Sequence, residues 1–165
     1  MTRYLTREGY DTIAGEVHRL WHVERPDVVA QVTAAAELGD RSENAEYIYG
    51  KKRLREIDSR LRYLRKKIEG VTIVDLATMP RRPDVMFGAR VTVEVYEPGV
   101  EDPEERTFRL VDQDESDPKL GRISVQSPIG RALLGRKKGD LFTVSLPRGT
   151  VEMEVTEVYY GPDPS

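Results

Sequence analysis

Apolar residues recur at intervals of three and four as far as residue 68. Beyond residue 71 they alternate with polar ones in short runs broken by Pro, Gly and Asp. The first spacing is that of helix faces and the second that of half-buried strands. Thr6 is placed to cap a first helix, in which Tyr10, Ala14, Val17, Trp21, Val28, Val32 and Ala35 trace a seam with one gap around Pro26. Pro26 lacks a backbone donor, so a kink or break is expected there. Leu54, Ile57, Leu61, Leu64 and Ile68 step strictly by three and four, which predicts a second helix with a narrow apolar stripe. A short polar connection over residues 38–44 forces the two to pair antiparallel, as a coiled-coil hairpin with arms about 40 Å long. Gly70 follows the second helix and suits a left-handed helix end, which places a domain boundary there.

The remainder predicts strands over residues 72–74, 90–96, 107–111, 122–125, 141–146 and 151–159, in an antiparallel sheet. Ser127, Pro128 and Gly135 punctuate one short helix between strands. The expected fold class is therefore α+β. Residues 1–70 form an antiparallel coiled-coil hairpin, and residues 71–165 a sheet domain with one short helix.

Composition narrows the chemistry. The 165 residues include no Cys, which excludes disulfides, thiolate metal sites and a cysteine nucleophile. The two histidines, His18 and His22, stand four apart without a suitable third ligand nearby, and read as exposed helix residues. The start of the chain is polar and no apolar run approaches the ~20 residues of a membrane span, so a soluble, cytoplasmic protein without membrane contact is expected.

Charge is what departs from the ordinary. The chain carries 26 basic and 29 acidic residues, a net charge of −3. Yet residues 51–67 hold nine basic side chains against Glu56 and Asp58, a net of +7, while residues 37–47 hold Glu37, Asp40, Glu43 and Glu46 against Arg41 alone. Each part has an ordinary reading, since charge runs solvate helices and acids complement helix N-termini. Together they describe a basic rod with an acidic end. Such a rod suits a narrow, negatively charged passage, with its flank following phosphates and its end offering carboxylates to a hard cation. Magnesium is commonly held by one or two carboxylates completed by water and substrate phosphates, so two carboxylates at a tip are part of a site.

The runs Leu5-Thr6-Arg7-Glu8-Gly9-Tyr10, Gly39-Asp40-Arg41-Ser42-Glu43-Asn44-Ala45-Glu46-Tyr47, and Ser127-Pro128 with Arg131-Ala132-Leu133-Leu134 and Gly139-Asp140 resemble the Gre family of bacterial transcript cleavage factors, in order and over nearly the whole chain. Residues 51–58, Lys-Lys-Arg-Leu-Arg-Glu-Ile-Asp, look more like its GreB branch than GreA. The resemblance implies a coiled coil followed by an FKBP-like domain. It implies an accessory factor, not an enzyme, that enters the secondary channel of bacterial RNA polymerase and stimulates the polymerase's own cleavage of backtracked nascent RNA.

By that resemblance Asp40 and Glu43 are the catalytic pair and share a Mg²⁺ with the polymerase active site, no cofactor being tightly bound by the chain alone. Ser42, Asn44 and Tyr47 shape the tip and, with Lys51, Lys52, Arg53, Arg55 and Arg60, meet the 3′ end of the RNA. Ser127, Pro128 and Ile129 dock on the β′ subunit at the channel rim, and the factor is a monomer. Two departures stand out: Gln126 occupies a position where many relatives carry Asp, and the acidic loops over residues 97–105 and 113–119 look long.

Competing readings are a Gre-like channel-binding inhibitor without cleavage, a prolyl isomerase, a self-contained metal nuclease, and a coiled-coil adaptor without chemistry. Three Phe and one Trp are few for an aromatic isomerase pocket, and an exposed tip lacks the dry cavity of a metal nuclease.

Overall fold

The computed structural model describes residues 2–41 and 43–164 and divides into two compact units, Tyr10–Val71 and Met1–Gly9 with Thr72–Ser165. The first unit is a helical hairpin. Helix α1 (Arg7–Arg19) begins at Thr6, whose hydroxyl accepts the Gly9 N–H at 3.0 Å. It runs through a π-helical turn, Leu20–Glu24, into α2 (Arg25–Ala36), and α3 (Ala45–Ile68) returns alongside.

Pro26 does not break the helix. The wide turn immediately before it absorbs one extra residue, and Arg19, Glu24 and Arg25 all keep right-handed helical dihedrals. The extra residue turns the apolar seam. Val28 and Ala35 are buried as expected, but toward the chain start Ile13 and Leu20 are buried, while Trp21 is 43% exposed and Tyr10 and Ala14 are half-buried. The predicted seam was one residue out of phase on that side, because a strict three–four count has no place for a π turn. Trp21 instead lies beneath the guanidinium groups of Arg25 and Arg65, 5.3 and 4.9 Å from the ring centre.

On α3, Gly50, Ile57, Leu61 and Leu64 face the partner helix. Pairs along the arms confirm the antiparallel course: Asn44 meets Ala35, Arg53 meets Glu24, and Arg60 meets Glu16. Gly70, at φ 69°, follows the end of α3 in the left-handed region that glycine favours.

Among its described residues the second unit holds seven strands. Tyr4–Thr6 (β1) and Thr72–Val74 (β2) pair parallel. The main sheet contains β3 (Arg90–Tyr96), β4 (Glu104–Val111), β5 (Arg122–Ser124), β6 (Leu141–Leu146) and β7 (Gly149–Tyr159), in the order β5-β4-β3-β7-β6. It is mixed: β5 runs parallel to β4, and the other neighbours are antiparallel. Alternation reports which face is buried and carries no strand direction. Direction follows from the connection over residues 112–121, which passes through two 3₁₀ turns, Gln113–Glu115 and Pro118–Leu120.

Val91, Val93, Val95, Phe108, Leu110, Met153 and Val155 form the core with Leu133 of α4 (Pro128–Leu133). The first 3₁₀ turn does more than connect. Glu115 accepts hydrogen bonds from the backbone N–H and the hydroxyl of Thr6, so the expected acidic loop is tied to the strand that leads into α1. Among the described residues no helix is long and apolar enough to cross a membrane.

Candidate functional site

The turn of the hairpin is built by its backbone and by one side chain. Helix α2 ends at Ala36, the Leu38 N–H returns to the Ala35 carbonyl at 3.1 Å, and Gly39 takes φ 128°. Asn44 then caps α3. Its side-chain oxygen accepts the Tyr47 N–H at 3.1 Å, and its amide nitrogen donates to the Ala35 carbonyl at 2.7 Å. One residue thus satisfies an orphan donor of α3 and adds a side-chain donor to a terminal carbonyl of α2 that already accepts the Leu38 N–H. Tyr47 is half-buried with the Arg41 guanidinium 5.6 Å from its ring centre.

Between these fixed points Asp40 and Glu43 are both exposed, on the loop that closes the hairpin. Ser42, expected beside them, lies outside the described residues. Glu46 adds a third carboxylate in the first turn of α3, where it complements the helix dipole. Among the described residues no group of three or more His, Cys, Asp or Glu side chains is disposed to hold a metal.

The basic stretch separates into two sets. Arg53 pairs with Glu24 at 3.1 Å and with Glu56 at 3.5 Å, and Arg60 forms two bonds to Glu16 at 3.0 and 3.1 Å. Their charges are therefore largely answered by carboxylates within the hairpin. Lys51, Lys52 and Arg55 are exposed and make no ion pair among the described residues. A shallow groove along α3 is lined by Lys52, Arg55, Glu56, Ser59, Arg60 and Tyr63. The sequence count overstated the surplus because Glu16 and Glu24 lie far from residues 51–67 along the chain and opposite them in the hairpin.

Two apolar residues went unremarked in the sequence. Leu38 and Tyr49 are 77% and 73% exposed at this end of the hairpin. Tyr49 falls off the stripe defined by Leu54 and Ile57, which was the available signal.

The expected docking residues lie in the other unit. Ser127 accepts the Gly130 N–H at 3.0 Å and donates to the Ser124 carbonyl at 2.6 Å, so its hydroxyl holds the start of α4. Pro128 is exposed in the first turn, and Ile129 packs half-buried on the core. Gln126 is exposed, and its backbone N–H donates to the Ser124 hydroxyl.

Two family models cover nearly all of this chain: the transcription elongation factor N-terminal model matches residues 3–73, and the GreA/GreB C-terminal model residues 80–160. The chain belongs to the GreA/GreB family of transcription elongation factors. Transcription elongation factor GreB of Yersinia pestis is 49% identical over 98% of this chain and 91% of its own length. GreB of Pseudomonas aeruginosa is 47% identical over 99% of this chain and 94% of its own. The structure of GreA factor homolog 1 from Thermus thermophilus aligns over 96% of this chain and 99% of its own, at 21% identity and a TM-score of 0.42. Members of the GreA/GreB family are accessory factors of RNA polymerase and not enzymes in their own right.

Proposed function

We propose that this factor enters the secondary channel of bacterial RNA polymerase and stimulates the polymerase's own hydrolysis of backtracked nascent RNA, with Asp40 and Glu43 as the working groups. The observation that carries this reading is the exposure of both carboxylates on a loop held at each end by Asn44. Two hard oxygen donors fit Mg²⁺, which accepts a pair of carboxylates and takes its remaining ligands elsewhere. Asp40 and Glu43 would hold such an ion jointly with the polymerase, where it supplies the Lewis acidity that phosphodiester hydrolysis needs.

The chain's own contributions are positional. Asn44 fixes the loop, and Tyr47 under Arg41 stiffens the first turn of α3. Lys51, Lys52 and Arg55 meet the phosphates of the RNA 3′ end, and Arg53 and Arg60 keep the two helices in register. Ser127 shapes the start of α4, from which Pro128 and Ile129 engage the β′ subunit. The factor works as a cytoplasmic monomer.

The test is cleavage of backtracked RNA in a purified elongation complex. Asp40→Ala is expected to keep polymerase affinity and lose stimulation, and Asp40→Asn to raise the Mg²⁺ concentration needed for half-maximal cleavage. Undiminished cleavage by Asp40→Ala would refute the assignment. Tight binding that blocks elongation without any cleavage by the unaltered chain would indicate an inhibitor instead.

A further inference from the structure

Three arginines stand in one row across the main sheet. Arg90 on β3 is the register partner of Arg109 on β4, and Arg109 is the register partner of Arg122 on β5. Cross-strand partners share a face with their Cβ atoms about 5 Å apart, so like charges placed directly opposite repel. The middle one is also buried: the Arg109 side chain is 3% exposed. Its guanidinium donates to the Gly88 carbonyl at 3.0 Å and to Asp163 at 2.6 Å, and its Nε has no hydrogen-bond partner among the described residues.

A buried guanidinium must be paired with an anion, and the anion here comes from the last residues of the chain. Asp163 follows Pro162 beyond the end of β7, contacts Arg109 with one oxygen and approaches Arg122 at 3.8 Å with the other. Arg122 also pairs with Glu8 at 3.6 Å. Among the described residues the two carboxylates pair with Arg109 and Arg122 and form no ion pair with Arg90, and counted over these five side chains the charge is +1. Asp163 is 54% exposed, against 3% for the arginine it holds, so the partner supplied by the tail is the accessible member.

We infer that the Arg90–Arg109–Arg122 row is a binding site for a phosphate-bearing small molecule, covered in the resting chain by Asp163 acting as an internal anion. The planar guanidinium fork matches phosphate at least as well as carboxylate, and a phosphate brings more charge and more acceptor oxygens to the same three partners. A ligand seated there displaces the tail and competes with Glu8, in the first turn of α1, for Arg122.

Pyrophosphate is the probe, titrated calorimetrically into the full chain at constant ionic strength. Asp163→Asn is expected to bind it saturably and about tenfold more tightly than the unaltered chain, since the internal competitor has lost its charge. Adding Arg90→Gln to that variant should abolish the gain. Equal affinity in the two chains, or no binding by a folded Asp163→Asn protein, overturns the site. Should that variant not fold, backbone NMR of the unaltered chain decides. Pyrophosphate should move the amide signals of Arg109, Arg122 and Asp163, and chloride at matched ionic strength should not. No movement, or the same movement with chloride, overturns it equally.

Discussion

The amide nitrogen of Asn44 lies 2.7 Å from the carbonyl oxygen of Ala35, and this bond joins the end of one hairpin helix to the start of the next. The same side chain caps α3 through the Tyr47 N–H. Asn44→Ala removes both bonds, leaving the Tyr47 N–H to water and the Ala35 carbonyl with its backbone donors alone. The expected cost is about 1–2 kcal/mol of stability in the hairpin, read by denaturant unfolding. Asn44→Asp keeps the cap acceptor but turns a donor into a charge facing the Ala35 carbonyl, so the bond across the loop is lost while the cap persists. If Asn44 frames the carboxylates, both variants lower cleavage stimulation more than polymerase affinity.

Gly50 makes a different prediction, one of space. A Cβ added there would sit 2.5 Å from Val32 Cγ2 on the facing helix. Alanine is ordinarily better than glycine in a helix interior by about 1 kcal/mol, but overpacking a seam costs about 1–3 kcal/mol. Gly50→Ala should therefore destabilise the hairpin. In a Val32→Ala background the obstruction is gone and the same change should stabilise. A thermal-unfolding double-mutant cycle with the same sign in both backgrounds would show that the two helices do not meet closely at this pair.

What the sequence disclosed and what it withheld divide along physical lines. The stripe of Leu54, Ile57, Leu61 and Leu64 needs only a regular helix, and it was readable. Ile13 and Leu20 were missed because a π turn before Pro26 shifts the phase, and no apolar count reveals an extra residue in a turn. Residues 90–96 and 141–146 were readable as strands from their alternation. β1 was not, since Tyr4–Thr6 is too short to show a period and exists through pairing with β2, far along the chain. At the tip, the choice of Asp40 and Glu43 among four carboxylates came from the family resemblance, while an acidic, polar linker was legible from charge alone. Asn44 as the bond between two helices was not, because its partner Ala35 contributes only a backbone carbonyl. Likewise the arginine row appears only when β3, β4 and β5 are placed side by side.

Acid should loosen the hairpin at a known place. Arg25 donates to Asp58 at 2.8 Å, and this bond holds the Asp58 carboxyl below its ordinary value, with the nearby Arg62 charge adding to the effect. A carboxyl with a lowered folded-state pKa contributes stability that is complete above the ordinary carboxylate range of about 4 and is lost as pH falls through the lower folded value. The unaltered hairpin should therefore lose more stability than Asp58→Asn on acidification below about pH 4, with the two curves parallel at neutral pH. Parallel curves throughout would mean that the pair contributes nothing, as exposed pairs sometimes do.

The two sets of basic residues on α3 should respond differently to neutralisation. Lys51, Lys52 and Arg55 are exposed and make no ion pair among the described residues, so each is available to a phosphate. Every such contact that forms releases counterions and adds about 0.7 to the salt slope for a single strand. Lys52→Gln and Arg55→Gln should each weaken binding of the RNA-containing complex and flatten its salt dependence, while thermal stability hardly changes. Arg53 and Arg60 are held by Glu24 and Glu16 on the facing helix. Their replacement by Gln should lower stability by a few tenths of a kcal/mol to about 1 kcal/mol, the range for exposed pairs, with a smaller change in salt slope. A uniform response of all four variants in the salt titration would mean that the Glu16 and Glu24 pairings give way when RNA is bound, and that the whole face of α3 follows the phosphates.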